Sequence, residues 1–186
     1  MATQERQNIR TTENTAMMIT AEMVSRMLER MSAMSAREAQ SIVKRMGKEQ
    51  PAVLAYLLAM SQHKEFNKDE GQIIFYIGMV IWRIVQQQHD HREIVTETQL
   101  DEAEKANEGL LEKMASDSPG DFLSAVEAMI RSYPERELLR YVTEALMEDE
   151  DGNPDNPPIR DENLGLAFLH LKIIMDALIV QEEDNL

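Results

Sequence analysis

The sequence predicts an all-α protein, a single-domain irregular bundle of about eight helices with a buried central helix near residues 68–88. Three observations predict it. Apolar residues recur at three- and four-residue steps in one segment after another, caps and prolines punctuate the joints, and no stretch alternates as a strand would. The chain has 186 residues, a length that buries about 70% of the unfolded surface on folding, so neither a disulfide nor a metal is needed as a staple. Cysteine is absent, which removes thiolate metal sites, iron–sulfur ligation and thiol nucleophiles and fits a reducing, cytoplasmic setting.

Residues 1–14 read as a polar, disordered lead without the apolar run of a secretory signal. The first helix is expected over Thr15 to Met34, where Met17, Ala21, Val24, Leu28 and Met31 alternate four- and three-residue steps and Met27 and Met34 widen the stripe. Ser35 and Glu38 have capping-box spacing and open a second helix that Gly47 is expected to stop. Pro51 suits the first position of a third helix, where its missing N–H costs nothing, and Val53, Leu54, Leu57, Leu58 and Met60 give that helix a broad apolar face.

Asn67 and Glu70 cap the fourth helix, which should reach about Gln88. Its stretch from Ile73 to Val85 is apolar except for Arg83 and is too short for a bilayer, where about 20 residues are needed, so it belongs at the centre of a core. Gly78 within it permits close approach of a neighbouring helix, at some cost in helix propensity. A polar joint over 89–95 precedes an acidic fifth helix, capped by Thr96 or Thr98 and ending near Ala115. Ser118, Pro119 and Asp121 open a sixth helix with Phe122, Val126, Met129 and Ile130 inward.

Pro134 is expected to start a seventh helix carrying Leu138, Leu139, Val142, Ala145 and Leu146. An eighth, from about Glu162 to Val180, shows Leu166, Leu169, Ile173, Ile174, Ala177 and Leu178 at helical spacing. The helical domain is thus expected over 15–182, with an acidic tail at 183–186. No fixed period runs through the chain, which argues against a repeat solenoid.

The formal charge of −15 is unevenly spread: residues 1–100 hold 12 Lys/Arg and 12 Asp/Glu, while 101–186 hold 7 and 22. Direct binding to nucleic acid needs a basic patch that releases counterions, and the second half offers the reverse. Its acidity is that of a solvated face, of a surface that selects a partner by charge, or of a nucleic-acid mimic.

Two segments raise metal chemistry. In the loop between the last two helices, Asp151, Asn153, Asp155 and Glu162 occupy positions 1, 3, 5 and 12 of an EF-hand, the spacing that turns alternate oxygens toward one calcium ion. Asn156 at the sixth position, normally glycine, and Pro158 at the eighth depart from that pattern. His63, His89 and Asp90 resemble the ligand order of all-α metal phosphohydrolases of the HD type, in which such residues hold a divalent ion that activates water. Gln86, Gln87 and Gln88 before the His-Asp pair, and no glycine soon after it, depart from that type. A histidine-rich helix end favoured by the helix dipole accounts for the same residues.

No glycine-rich phosphate loop, nucleophile elbow or Glu-x-x-His pair occurs, so no cofactor is implied. Seven of the fourteen methionines fall within the first 34 residues. Methionine is unbranched and polarizable and suits a surface that repacks against partners, although copper(I) ligation does not fit helical spacing in a reducing setting. The expected function is a protein–protein interaction or adaptor module, non-enzymatic and cytoplasmic, that captures another protein or a second copy through Met18, Met23, Met27, Met31 and Met34. The acidic half would lend it charge selection. The alternatives are the HD-type hydrolase and the nucleic-acid mimic. Neither a membrane nor direct nucleic-acid binding is expected.

Overall fold

Local capping chemistry sets where most helices begin. In the computed structural model, which describes residues 18–88, 93–114, 119–147 and 158–179, and at 111–114 and 119–121 the backbone alone, the described residues form eight helices and no strand. Helix α1 spans Ala21–Ser32, with the Thr20 hydroxyl accepting from the Met23 N–H. Helix α2 spans Ala36–Glu49 behind a complete capping box: Ser35 Oγ accepts from the Glu38 N–H at 3.3 Å, and Glu38 Oε2 accepts from the Ser35 N–H at 2.8 Å. Helices α3 (Pro51–Ser61) and α4 (Lys68–Gln88) follow. Asn67 Oδ1 accepts from the N–H groups of Asp69 and Glu70, both at 2.9 Å, to start α4.

Helix α5 spans Glu97–Met114, and Thr96, rather than Thr98, caps it by exchanging hydrogen bonds with Gln99. Helices α6 (Pro119–Ser132), α7 (Arg136–Met147) and α8 (Asp161–Ile179) complete the order. The expected disordered lead at 1–14, residues 15–17 and the acidic tail at 183–186 lie outside the described residues.

Three boundaries differ from the expectation. The first helix, expected over Thr15 to Met34, spans only Ala21–Ser32, because the Thr20 hydroxyl caps it there and residues 18–20 precede it as non-helical chain. Helix α2 runs through Gly47 to Glu49 and is ended by Gln50, because the following Pro51 disfavours helical backbone at the residue before it. The buried Gln50 amide is in turn fixed at both ends, its Nε2 donating to the Glu93 carbonyl at 3.0 Å and its Oε1 accepting from the Val95 N–H at 2.8 Å. Pro134 lies in the turn before α7 instead of at its first position. The helix is entered through Glu135, whose carbonyl takes the first helical hydrogen bond and whose carboxylate accepts from the buried Ile19 N–H at 2.7 Å.

Helix α4 is central, packed against α1, α3, α7 and α8. Ile74, Ile77, Val80, Ile81, Trp82, Ile84 and Val85 on it are all buried. Helix α8 shares that role, since it packs on α4, α5 and α7 and buries Phe168, Leu171, Ile173, Ile174 and Met175. The close approach expected at Gly78 is present, for a Cβ there would lie 2.5 Å from Leu57 Cδ1 of α3. Gly71, two turns earlier, is tighter still, with its absent Cβ 2.0 Å from the Ser61 carbonyl oxygen. Together these glycines let α3 lie directly on α4.

Two carboxylates, one buried and one half-buried, tie the bundle together. Glu70, 1% exposed, accepts from the Asn67 N–H, the Arg160 N–H, Arg160 Nε and Nη2, and Asn163 Nδ2, all at 2.9–3.0 Å. This locks the start of α8 to the start of α4. Asp176 on α8 accepts from Tyr133 Oη at 2.6 Å, Lys172 Nζ at 2.6 Å and Asn107 Nδ2 at 2.8 Å, joining α5 and the end of α6 to α8. No described helix is long and apolar enough to cross a membrane.

Candidate functional site

The methionine stripe divides between core and surface. Met27 is 1% exposed and belongs to the core with Val24, Met31 packs against that core, and Met34 is half-buried. Met18 is 42% exposed and Met23 half-buried. The structure therefore removes Met27 from the expected partner-binding face, because α1 turns it toward α4 and α7.

Met23 is followed at three and seven residues by Arg26 and Arg30, a spacing that places all three on one side of α1. With Glu29 and Gln87 of α4 they line a cleft of about 650 Å³. Among the described residues, Arg26 is held only by a long, exposed contact to Glu22 at 3.9 Å. Arg30 enters no ion pair or side-chain hydrogen bond among the described residues.

Arg83 lies one turn before Gln87 on the same side of α4. Its Nη1 donates to Gln86 Oε1 at 2.9 Å, Gln86 Nε2 donates to Glu49, and Glu49 is paired with Arg45 at 2.6 Å. Arg83 Nε is buried and has no hydrogen-bond partner; among the described residues the Tyr141 hydroxyl is the other such side-chain atom. Burial and the neighbouring Arg45 and Arg30 push the Arg83 guanidinium below its ordinary pKa, with Glu49 opposing them. Guanidinium groups thus collect around Arg83, where Arg45 and Arg30 face it against the one carboxylate of Glu49, an arrangement with the chemistry to accept an oxyanion.

The expected metal residues are arranged differently. His63 does not face a carboxylate set; its ring lies 6.3 Å from that of His170 and 6.0 Å from that of Phe66. His170, on α8, shares a 2.9 Å hydrogen bond between its Nδ1 and Tyr56 Oη. Burial and the neighbouring His63 hold the His170 imidazole near 4, so it is neutral at pH 7. Burial, with the Glu104 charge, raises the Tyr56 hydroxyl out of the physiological range.

His89 and Asp90 lie outside the described residues, as do Asp151, Asn153 and Asp155. Glu162, the last residue of the calcium pattern, is exposed and accepts from Arg160 Nη1 at 2.9 Å. Among the described residues no group of three His, Asp or Glu is placed to hold a metal ion. The cleft arginines were not singled out from the sequence, where Arg83 reads only as an interruption of an apolar run. The row Met23, Arg26, Arg30 is the signal that could have found them.

No family model, no curated protein and no solved structure matches the chain.

Proposed function

We propose that the chain is a cytoplasmic protein–protein interaction module whose contact surface is the outer row of α1, formed by Met23, Arg26 and Arg30, with Met18 in the segment just before it, and whose partner presents carboxylates. The observation that carries this reading is the cleft that Met23 lines together with two arginines, on a helix preceded by the exposed Met18. A thioether surface adapts to a partner's shape, and the adjacent guanidinium groups select its charge. The exposed carboxylates of the second half discourage unsuitable acidic partners elsewhere on the surface.

Affinity capture from the native cell, compared between the wild-type chain and Met18→Asp/Met23→Asp, tests the reading. The wild type should retain a partner that elutes with salt. The variant should keep the helical circular-dichroism spectrum and lose the partner. An unchanged set of captured proteins would overturn it.

A further inference from the structure

The interaction reading leaves the identity of the acidic partner open, and charge complementarity within this one chain supplies it. Glu97, Asp101, Glu104 and Glu108 recur along α5 at steps of four, three and four, which aligns them on one face over about 16 Å. All four are exposed, and none enters an ion pair among the described residues. Helix α5 carries six Asp/Glu and two Lys/Arg, whereas residues 18–50, covering α1 and α2, carry four and six. The two surfaces sit on different parts of the bundle, since α1 packs on α4 and α7 while α5 packs on α8. One copy therefore leaves both a cleft with spare guanidinium donors and a row of carboxylates with spare acceptors.

Resting on the interaction reading, we propose that the partner is a second copy of this chain, whose α5 carboxylate row docks into the α1–α4 cleft. Arg26 and Arg30 receive carboxylates as charge-assisted hydrogen bonds, and Met23 packs on the methylene stems of the incoming glutamates. Glu29, in the same wall, keeps the positive excess of the cleft small, so no single pair holds the contact. A row of four carboxylates is needed. Because cleft and row are different surfaces, the contact is head-to-tail, and each added copy presents a new cleft or a new row. The net charge of −15 opposes association over long distances. Salt of about 0.1 M, where screening acts beyond about 10 Å, removes most of that repulsion and spares contacts in the cleft, whereas about 1 M weakens the contacts too.

Sedimentation velocity of the full chain tests this. At about 0.1 M salt the wild type should gain mass with concentration, and at about 1 M it should lose that gain. Arg26→Glu/Arg30→Glu, which spoils the cleft, and Asp101→Lys/Glu108→Lys, which spoils the row, should each weaken self-association at least about tenfold. All four positions are exposed, and helical circular dichroism verifies the fold. Mixed together, the two variants should give a 1:1 complex that grows no further, since only one intact cleft meets one intact row.

A wild type that stays monomeric at every concentration, a variant that self-associates as the wild type does, or a mixture that fails to pair would each overturn the proposal. The interaction reading itself survives a monomeric wild type if Arg26→Glu/Arg30→Glu loses a different acidic protein in the capture experiment. It fails if Met18→Asp/Met23→Asp loses nothing.

Discussion

The two ends of α4 treat a buried charge in opposite ways. At its start, the Glu70 carboxylate is enclosed by five donors from Asn67, Arg160 and Asn163. Toward its end, the partly buried Arg83 has one side-chain acceptor within reach, Gln86, and a buried Nε without any. A buried charge whose hydrogen-bonding capacity is filled fixes geometry, whereas one that is left short is open to a newcomer. The closed end accordingly fastens α8 to α4. The open end borders the cleft.

The largest expected effect breaks the closed end. Arg160→Leu strips Glu70 of both side-chain donors of its charge partner, two of its five, and leaves a buried anion, so urea unfolding should show a loss of about 3–5 kcal/mol. A loss below about 1 kcal/mol would mean that Glu70 is solvated rather than enclosed.

Acid should open the same end more gradually. Burial opposes the Glu70 charge, but the hydrogen bonds from Arg160, Asn67 and Asn163 outweigh it and hold the carboxyl at about 2, against an ordinary 4.5. Its contribution, of the order of 3 kcal/mol, is complete above pH 4.5 and is lost as pH falls toward 2. His170, held at about 4 against 6.5, adds an earlier loss: the unfolded chain takes up its proton as pH falls from 6.5 to 4, while the fold resists it. Stability measured from pH 7 down to 2 should therefore decline in two stages. Glu70→Gln should remove the lower stage and His170→Gln the upper.

A methyl group probes the packing beside the closed end. At Gly71 it would meet the rigid Ser61 carbonyl oxygen, and at Gly78 the movable Leu57 side chain. Gly71→Ala should cost about 3 kcal/mol and Gly78→Ala about 1, the spread seen for overpacked sites. An equal cost at both would show that α3 shifts as a whole to make room.

The smallest effect sharpens the open end. Arg83→Met removes a charge that the fold does not satisfy, so stability should change by less than about 1 kcal/mol and in the favourable direction. A loss like that of Arg160→Leu would erase the distinction between the two ends.

How much of this was legible in the sequence depends on the distance between partners. Ser35 with Glu38, Asn67 with Glu70 and Thr96 with Gln99 are three residues apart, and the chemistry of a helix start is local, so residue type and spacing suffice. The apolar faces of α4 and α8 follow from periodicity for the same reason. Periodicity says how wide an apolar stripe is but not which part a neighbour covers. It gave Leu58 to the apolar face of α3, yet that residue is 40% exposed, whereas the helical wheel of the first segment does turn Met27 inward and leave Met18 over.

The second role of Glu70 was hidden because Arg160 is 90 positions away. His170, within an apolar helix, gave no sign that it would meet His63 and Tyr56. Gly71 went unremarked because a close crossing is a property of two helices, and its counterpart Ser61 carries no local mark. The cleft was hidden twice over, since it needs α1 and α4 brought side by side and since its arginines look, one at a time, like ordinary surface charge.

Gln50 has a consequence that concerns time rather than energy. Its side-chain amide grips Glu93 and Val95 much as a neighbouring strand would, so the Val95 N–H is sealed although it belongs to no helix. In deuterated water that proton should exchange with the slow helix amides of α4, not with the exposed segment around it. It would then report when the α2–α3 junction lets go of the segment that leads into α5.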